Sequence, residues 1–486
     1  MQRLKPYGLL GLLAVPAGPA VAALCTSLLL AGCATSVVDD NFATLDEFGR
    51  QRLGSELRWL RSEKAHHDMM QEVEGLLASP LGADDAVRIA LGYSPALQVL
   101  LADAAAASAD ATQSARIANP VFTFERLVRN GHDGRELELG RTLGISLFDI
   151  LLLPARRERA AQRQETTRLQ ASVALVTLVA DVRRAWVRAV SANQVARYRQ
   201  DVADAAQAAA ELARRMEGAG NFSRLQRARQ QAFHSDAVAE LARSQQQAAA
   251  SREALIRFLG LPAAQAARLK LPDRLPDLPA VERDEKEVTQ AVLDERLDVR
   301  LARAELEATA RELGLTRVTS VVNGVHVAGI DNRETGERRQ RGLEVELPLP
   351  LFDFGDASRA GAEARYLAAL NRTAQVGAEA ASQVRESHAA WRTTRALARH
   401  YRDEIVPLRQ TISDEMVLQY NGMLTDVFEL LADARSRITS VIHAIEAERD
   451  FWLADATLDA ALLGTPVAPF SLQGLTPSGD AGGGGH

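Results

Sequence analysis

Apolar residues recur at alternate positions in ELELGRTLGISLF, residues 136–148: Leu137, Leu139, Leu143, Ile145 and Leu147, broken once by Arg141. Between them stand Glu136, Glu138, Thr142 and Ser146. A period of two predicts a β-strand with one oily and one wet face. Three further stretches share the period. In 120–128, Phe122 and Phe124 alternate with Thr123 and Glu125; in 341–349, Leu343, Val345, Leu347 and Leu349 alternate with Glu344 and Glu346. Residues 320–330 are less regular, because Asn323 and His326 interrupt opposite faces. Polar stretches, NGHDGR (130–135) and DNRETGERRQ (331–340), read as the loops joining each pair.

Elsewhere the pattern is helical. A helix is expected from about Asp84 to Arg116, and residues 40–78 read as one extra charged helix. From Pro154 to Arg215 no Gly or further Pro intervenes. That predicts a helix of about 60 residues, roughly 90 Å long at 1.5 Å per residue. It breaks at Gly218-Ala219-Gly220-Asn221, and Ser223 is placed to cap a return helix to about Leu259. A second unit repeats this order. AVRIALGYSPALQVLLADAAAA (86–107) answers to AVLDERLDVRLARAELEATA (291–310), SLFD (146–149) to PLFD (350–353), Trp186 to Trp391, and GNFSRL (220–225) to GMLTDV (422–427), at offsets of 202 to 205. The second long helix is expected from about Ala357 to Tyr420, with a break at Asn421-Gly422, Thr425 as cap and a return helix to about Leu463. Helices this long must bury their apolar stripes on one another.

Composition narrows the class. Ala, Arg, Glu, Gln and Leu dominate, aromatics make up 5% and the net charge is −6, so nothing suggests a nucleic-acid partner. Both cysteines, Cys25 and Cys33, lie near the start, which excludes disulfides, thiolate metal sites and cysteine nucleophiles downstream. Arg3 and Lys5 precede an apolar run from Gly8 to Gly32, ending Leu30-Ala31-Gly32-Cys33. This ending resembles the lipobox of bacterial lipoprotein signal peptides. The resemblance implies cleavage before Cys33 and its acylation with chains such as palmitate; Ala34, in place of Asp, resembles the outer-membrane sorting pattern. A plain membrane-anchoring helix is the alternative, against which Pro16 and Pro19 argue. The expected domains are a signal peptide (1–32), a lipid-anchored segment (33–80), a first repeat (81–258), a Pro-rich linker (259–283), a second repeat (284–464) and a tail (465–486).

Alternation alone fits a half-buried sheet in a soluble protein as well as a membrane sheet. Context favours the membrane: the long helices are occupied with one another, and strands of about ten residues match a tilted bilayer crossing. Lipid admits only sheets closed without an edge, and four strands are fewer than the roughly eight of the smallest bacterial barrels. Several chains would then have to pool their strands.

The tandem repeat, the ALGYSPAL segment (90–97), ELPLPLFDFG (346–355) and the paired hairpin tips together resemble the TolC family of outer-membrane efflux channels, over about residues 80–465. The resemblance implies a mainly α fold with a transmembrane β part. Three chains would form a twelve-stranded barrel in outer-membrane lipid, continued by a periplasmic helical tunnel. It further implies a periplasmic adaptor docked on the tips and an inner-membrane transporter of the resistance-nodulation-division type. On that frame Glu125, Glu136, Glu138, Glu344 and Glu346 are candidate pore-lining residues, either selecting cations or simply wetting the wall. Gly220, Ser223, Arg224, Gly422 and Thr425 are candidate docking-tip residues, and tip one is basic, with Arg214, Arg215, Arg227 and Arg229 nearby.

Some family members close their periplasmic end with carboxylates just past the second tip. Here the matching positions hold Phe428 and Leu431, with Asp426, Glu429 and Asp433 out of register. Phe428, flanked by Asp426 and Glu429, is therefore the candidate aperture, an apolar constriction. His66-His67-Asp68-Met69-Met70 invites a metal reading, but neighbours on a helix point about 100° apart, leaving only the His66–Met70 pair. No metal or cofactor is assigned. Nothing resembles a nucleophile elbow, phosphate loop or zinc triad, so the expectation is a non-enzyme. A coiled-coil structural or adhesive lipoprotein is the rival class, and it would have no use for duplicated alternating hairpins.

Overall fold

The computed structural model describes residues 32–131, 134–281, 283, 295–320, 324–349, 351–425 and 427–465. The predicted signal peptide and most of the tail lie outside the described residues. Helix α1 spans Gly32–Phe48 and runs into a π-turn at Gly49–Leu53. An extended stretch leads to α2, Glu63–Leu76, capped by the Ser62 hydroxyl, which accepts from the Ala65 N–H. The single charged helix expected over 40–78 is therefore wrong. Gly54, in the left-handed region at φ 70°, ends the first helical run. The segment also packs into the main core. Leu45, Leu53, Leu57, Met69 and Val73 join the main core, and the buried Asp46 carboxylate accepts from the Leu57 N–H at 2.8 Å.

Likewise the helix expected from Asp84 to Arg116 is two: α3, Ala83–Tyr93, and α4, Pro95–Ser114, bent by 46°. Pro95 has no N–H and disfavours helical backbone at the residue before it. Ser94 accordingly turns to φ −57°, ψ 130°, and its hydroxyl caps α4. The first hairpin follows, β1 (Val121–Gly131) and β2 (Gly134–Ser146), then the short α5 (Leu147–Leu151) and α6, Leu153–Gly218. At 66 residues α6 is roughly 100 Å long. Its buried positions, among them Leu169, Leu175, Val176, Val179, Val182, Trp186 and Val190, follow the three-four spacing of one helical face. Toward its far end small residues, Ala203, Ala206 and Ala213, take over, letting α6 pack closely on α7 (Arg224–Leu259).

The linker contains a short helix, α8 (Ala263–Arg268), and is fixed rather than slack. Leu261, Leu269 and Leu275 are buried; Trp452 donates to Pro276 O at 3.1 Å, and Arg395 to Pro279 O and Ala280 O, each at 3.1 Å. The second unit comprises α9 (Leu297–Thr319), β3 (His326–Glu334), β4 (Gln340–Glu346), α10 (Asp356–His400), a π-turn (Tyr401–Ile405), α11 (Val406–Asn421) and α12 (Val427–Leu463). The uninterrupted helix expected from Ala357 to Tyr420 overlooked Pro407. A proline ring inside a helix clashes with the carbonyl four residues back, and one π-turn is a known way to absorb that. The first repeat has no proline at the corresponding part of α6 and stays regular.

Both tryptophans predicted as packing anchors are buried. Trp186 donates to Leu81 O at 2.7 Å, and Trp391 donates to Asp455 at 2.8 Å while packing on Phe451. The deepest charge is Arg296, whose guanidinium bonds Asp298 and the carbonyls of Ala380 and Ala461, tying α9, α10 and α12 together.

Candidate functional site

The two hairpins, nearly two hundred residues apart in sequence, join into one antiparallel sheet of order β1-β2-β3-β4. The strands reach farther toward the hairpin turns than expected. β1 and β2 run to Gly131 and from Gly134, and β3 continues to Glu334, so both predicted loops shrink. β3 is assigned from His326, not 320, and the irregular Asn323 lies outside the described residues. Thr335 extends the central pairing, its N–H donating to Leu137 O at 3.1 Å.

Register decides which side chains share a face, because directly opposed residues point the same way. Glu125 opposes Gly140 and Glu136 opposes Arg129; Glu138 opposes both Leu127 and Glu334; Glu344 opposes Ala328, and Glu346 opposes His326. Followed across the sheet, these pairings place all five predicted glutamates on one face. Glu334 is a sixth, missed because residues 331–340 read as loop. Thr142, Ser146 and Asn332 share the face, where Arg129 is the lone cation. Along β2 its residues Glu138, Gly140, Thr142, Gly144 and Ser146 are half-buried, whereas Arg141, Leu143 and Ile145 on the other face are exposed. From Gly140 to Ser146 the acidic face is therefore the more sheltered side, and we assign it as the concave one. A Cβ at Gly140 would lie 3.3 Å from the Glu125 Cβ, so glycine there makes room for the carboxylate row.

The convex face is oily. Phe122 is 63% exposed, Phe124 54%, Leu143 57% and Leu343 73%. No described element covers them, and among the described residues the outer edges of β1 and β4 have no partner strand. In water this sheet would leave aromatic surface bare and two strand edges open to aggregation.

At the other end lie the tips. Tip one turns at Gly220, φ 79°, and closes with a reciprocal cap: Ser223 Oγ accepts from Gln226 N at 3.2 Å while Gln226 Oε1 accepts from Ser223 N at 2.6 Å. Its basic character is partly neutralised on the spot. Hydrogen bonds from Arg214 and Arg215 hold the Glu211 carboxyl at about 2, and Arg227 meets Glu217 at 2.7 Å. Arg224 begins α7.

Tip two corrects a detail of the repeat alignment. The left-handed residue is Met423, φ 57°, not Gly422, φ −80°. Helix α12 is described from Val427, and the residue between it and Thr425 lies outside the described residues. The Thr425 hydroxyl donates to the Glu429 carboxylate. Met423 and Leu424 are 92% and 81% exposed, and Leu418 is exposed too, so this tip is apolar. Asp426 and the Phe428 side chain, two of the predicted aperture residues, lie outside the described residues. The Cys33 backbone belongs to α1, and its side chain is likewise outside them.

The His-Met string of α2 is dispersed. Met69 is buried, His67 contacts Gln71 at 3.0 Å, and the Met70 sulfur accepts from Gln265. Among the described residues no three His, Cys, Asp or Glu side chains cluster as metal ligands, and no single helix is long and apolar enough to cross a membrane.

Long antiparallel helices that carry a small two-faced sheet at one end are the fold of outer-membrane channel proteins, and this chain has that fold. Its solved neighbours include the outer membrane protein VceC from Vibrio cholerae, at 16% identity and TM-score 0.66, covering 79% of this chain and 96% of VceC. The CmeC outer membrane channel of Campylobacter jejuni matches at 12% identity and TM-score 0.67, covering 79% of this chain and 85% of that one. The open state of the Neisseria gonorrhoeae MtrE outer membrane channel matches at 17% identity and TM-score 0.64, over 79% and 89% of the two chains. No sequence-family profile matches the chain, and no curated protein does.

Proposed function

We propose that this protein is the outer-membrane channel of a tripartite efflux system, a passive exit duct for small molecules or metal ions. The observation that carries the reading is the sheet: one face a row of carboxylates, the other bare aromatic and aliphatic surface, both edges open. A lipid-facing sheet has to close on itself, and three copies supply twelve strands, enough for a barrel. The acidic concave face then lines the lumen and the oily face meets lipid.

The long helices continue the duct into the periplasm, and the tips dock on a periplasmic adaptor that couples it to an inner-membrane transporter of the resistance-nodulation-division type. The exposed Met423, Leu424 and Leu418 offer the adaptor an apolar contact. An acyl group on Cys33 adds a second hold on the membrane. The duct itself needs no reaction chemistry.

Conductance tests the reading. Purified protein added to a planar bilayer is expected to open stable, cation-preferring pores. Absence of conductance from protein that reaches the outer membrane would reject the duct in favour of a stalk. Replacing Cys33 by Ser behind a plain secretory signal separates the two again: a channel still requires detergent for extraction, whereas a stalk becomes soluble.

A further inference from the structure

Charge on the convex face has the opposite sign to charge on the concave one. Arg126, Arg135, Arg141, Arg333 and Arg341 take the alternate positions that also hold Phe122, Phe124, Leu143 and Leu343. The one strand acid on this face is Asp331, and it is already occupied: Arg339 Nε lies 2.7 Å from its Oδ1, and Arg341 Nε 3.9 Å from its Oδ2. The face is therefore positive as well as oily.

The two characters are separated by height. Arg141, Asp331 and Arg341 oppose one another in a row across β2, β3 and β4. From that row toward the long helices the face is apolar, through Leu143 and Leu343, then Ile145, Val327 and Val345; beyond the end of β4, Leu347, Leu349 and Phe352 are exposed as well. The eight steps from Arg341 to Leu349, five of them within β4, would rise about 20 Å at a 40° tilt if the chain stays extended, close to the roughly 25 Å apolar band of outer-membrane barrels. Toward the hairpin turns, Arg126, Arg135 and Arg333 alternate with Val128, Leu137 and Leu139.

With the helices in the periplasm the turns point outward, so the arginine row sits where the apolar layer of the outer leaflet ends. Arginine facing lipid is costly at the bilayer centre and nearly free at its boundary. There its planar fork suits phosphate better than a lysine would.

We propose that Arg141 and Arg341, supported by Arg126 and Arg333, form a binding belt for the phosphates of lipid A, the phosphorylated glycolipid of the outer leaflet. Each chain would present the belt once, and the trimer would wear a ring of tightly held lipid. This rests on the channel reading, which sets the convex face against lipid.

The test uses wild-type trimer and the R141Q/R341Q variant, purified in the same detergent and titrated with bisphosphorylated lipid A, dephosphorylated lipid A or phosphatidylglycerol. Native mass spectrometry counts retained lipid, and bilayer conductance is recorded from each preparation. Wild type is expected to hold bisphosphorylated lipid A at least tenfold better than the other two. The variant is expected to lose about ten- to thirtyfold of that affinity while remaining a conducting trimer, at about 1 kcal/mol per basic residue near an anionic surface. A conducting trimer whose lipid A retention is unchanged by the substitutions, or independent of phosphate, overturns the belt alone. Equal retention of phosphatidylglycerol overturns the assignment to lipid A. A non-conducting monomer from wild type overturns the channel reading and the belt together. Should R141Q/R341Q fail to assemble, R126Q/R333Q carries the same comparison, with loss expected and unchanged retention contradicting it.

Discussion

Replacing Arg296 by Met removes a guanidinium that is fully buried at the seam where the second repeat closes on itself. Its donors reach Ala461 O at 2.6 Å, Ala380 O at 3.3 Å and Gln383 Oε1 at 3.1 Å. They also hold the Asp298 carboxylate at 3.0 and 2.7 Å, and Asp298 in turn accepts from the Val299 N–H at the start of α9. Methionine fills similar volume but donates nothing, so two buried carbonyls and one largely buried carboxylate lose their partner. Breaking a buried ion pair from one side costs about 3–5 kcal/mol, mainly because the other charge stays buried. An unfolding entropy of about 2.1 cal/mol/K per residue, over about 430 residues, gives roughly 0.9 kcal/mol/K. The melting midpoint should then fall by about 3–5 °C. Far-UV circular dichroism in detergent, at one scan rate because such proteins unfold irreversibly, reads the shift. Arg296→Met with Asp298→Asn should recover about half of it, since the orphaned charge is gone. A single-variant midpoint within about 1 °C of wild type, or a double variant worse than the single, would refute this reasoning.

Other consequences follow from the same geometry. Changing Glu125, Glu136, Glu138, Glu344 and Glu346 together to Gln should bring the cation preference close to that of free diffusion, read as reversal potential in a salt gradient; an unaltered potential means they only wet the wall. Gly355→Ala should destabilise by about 2–4 kcal/mol, because Gly355 stands at φ 70° and a Cβ would fall 2.4 Å from the Ser320 Cβ; a midpoint equal to wild type would contradict it. Asp455 behaves as a titrating liability. Burial, then the neighbouring Asp459, pushes its carboxyl above the ordinary value of 3.8, against Arg283 and the Trp391 N–H. Since the folded state keeps the proton longer than the unfolded one, wild-type stability should fall as pH rises from 3.8 through that raised value. Asp455→Asn should flatten this slope, and an identical slope in both proteins would exclude the carboxyl as its source.

Periodicity made much of this molecule legible. The two-residue alternation of 136–148 and 341–349 located two strands and, through parity alone, put the carboxylates on a common face. What alternation could not give was register between hairpins far apart in sequence, and only register brings Glu334 into the acidic row. The helix limits failed where one residue outweighed the pattern: Pro95, Pro407 and Gly54. The segment 40–78 was misread because its polar surface conceals Leu45, Met69 and Val73, which pack on the first repeat and could not be assigned there without the tertiary contact. At tip two the helix breaks at Asn421-Gly422 as the sequence indicates, but the left-handed turn falls on Met423, a residue type seldom found there.

The sheet's open edges and bare aromatic face require partners, and the mass of the purified particle tests that most directly. Light scattering corrected for bound detergent, on protein lacking signal peptide and acyl anchor, should give about three times the mass of one chain and complete dependence on detergent. A stable single-chain particle in detergent-free buffer would contradict it.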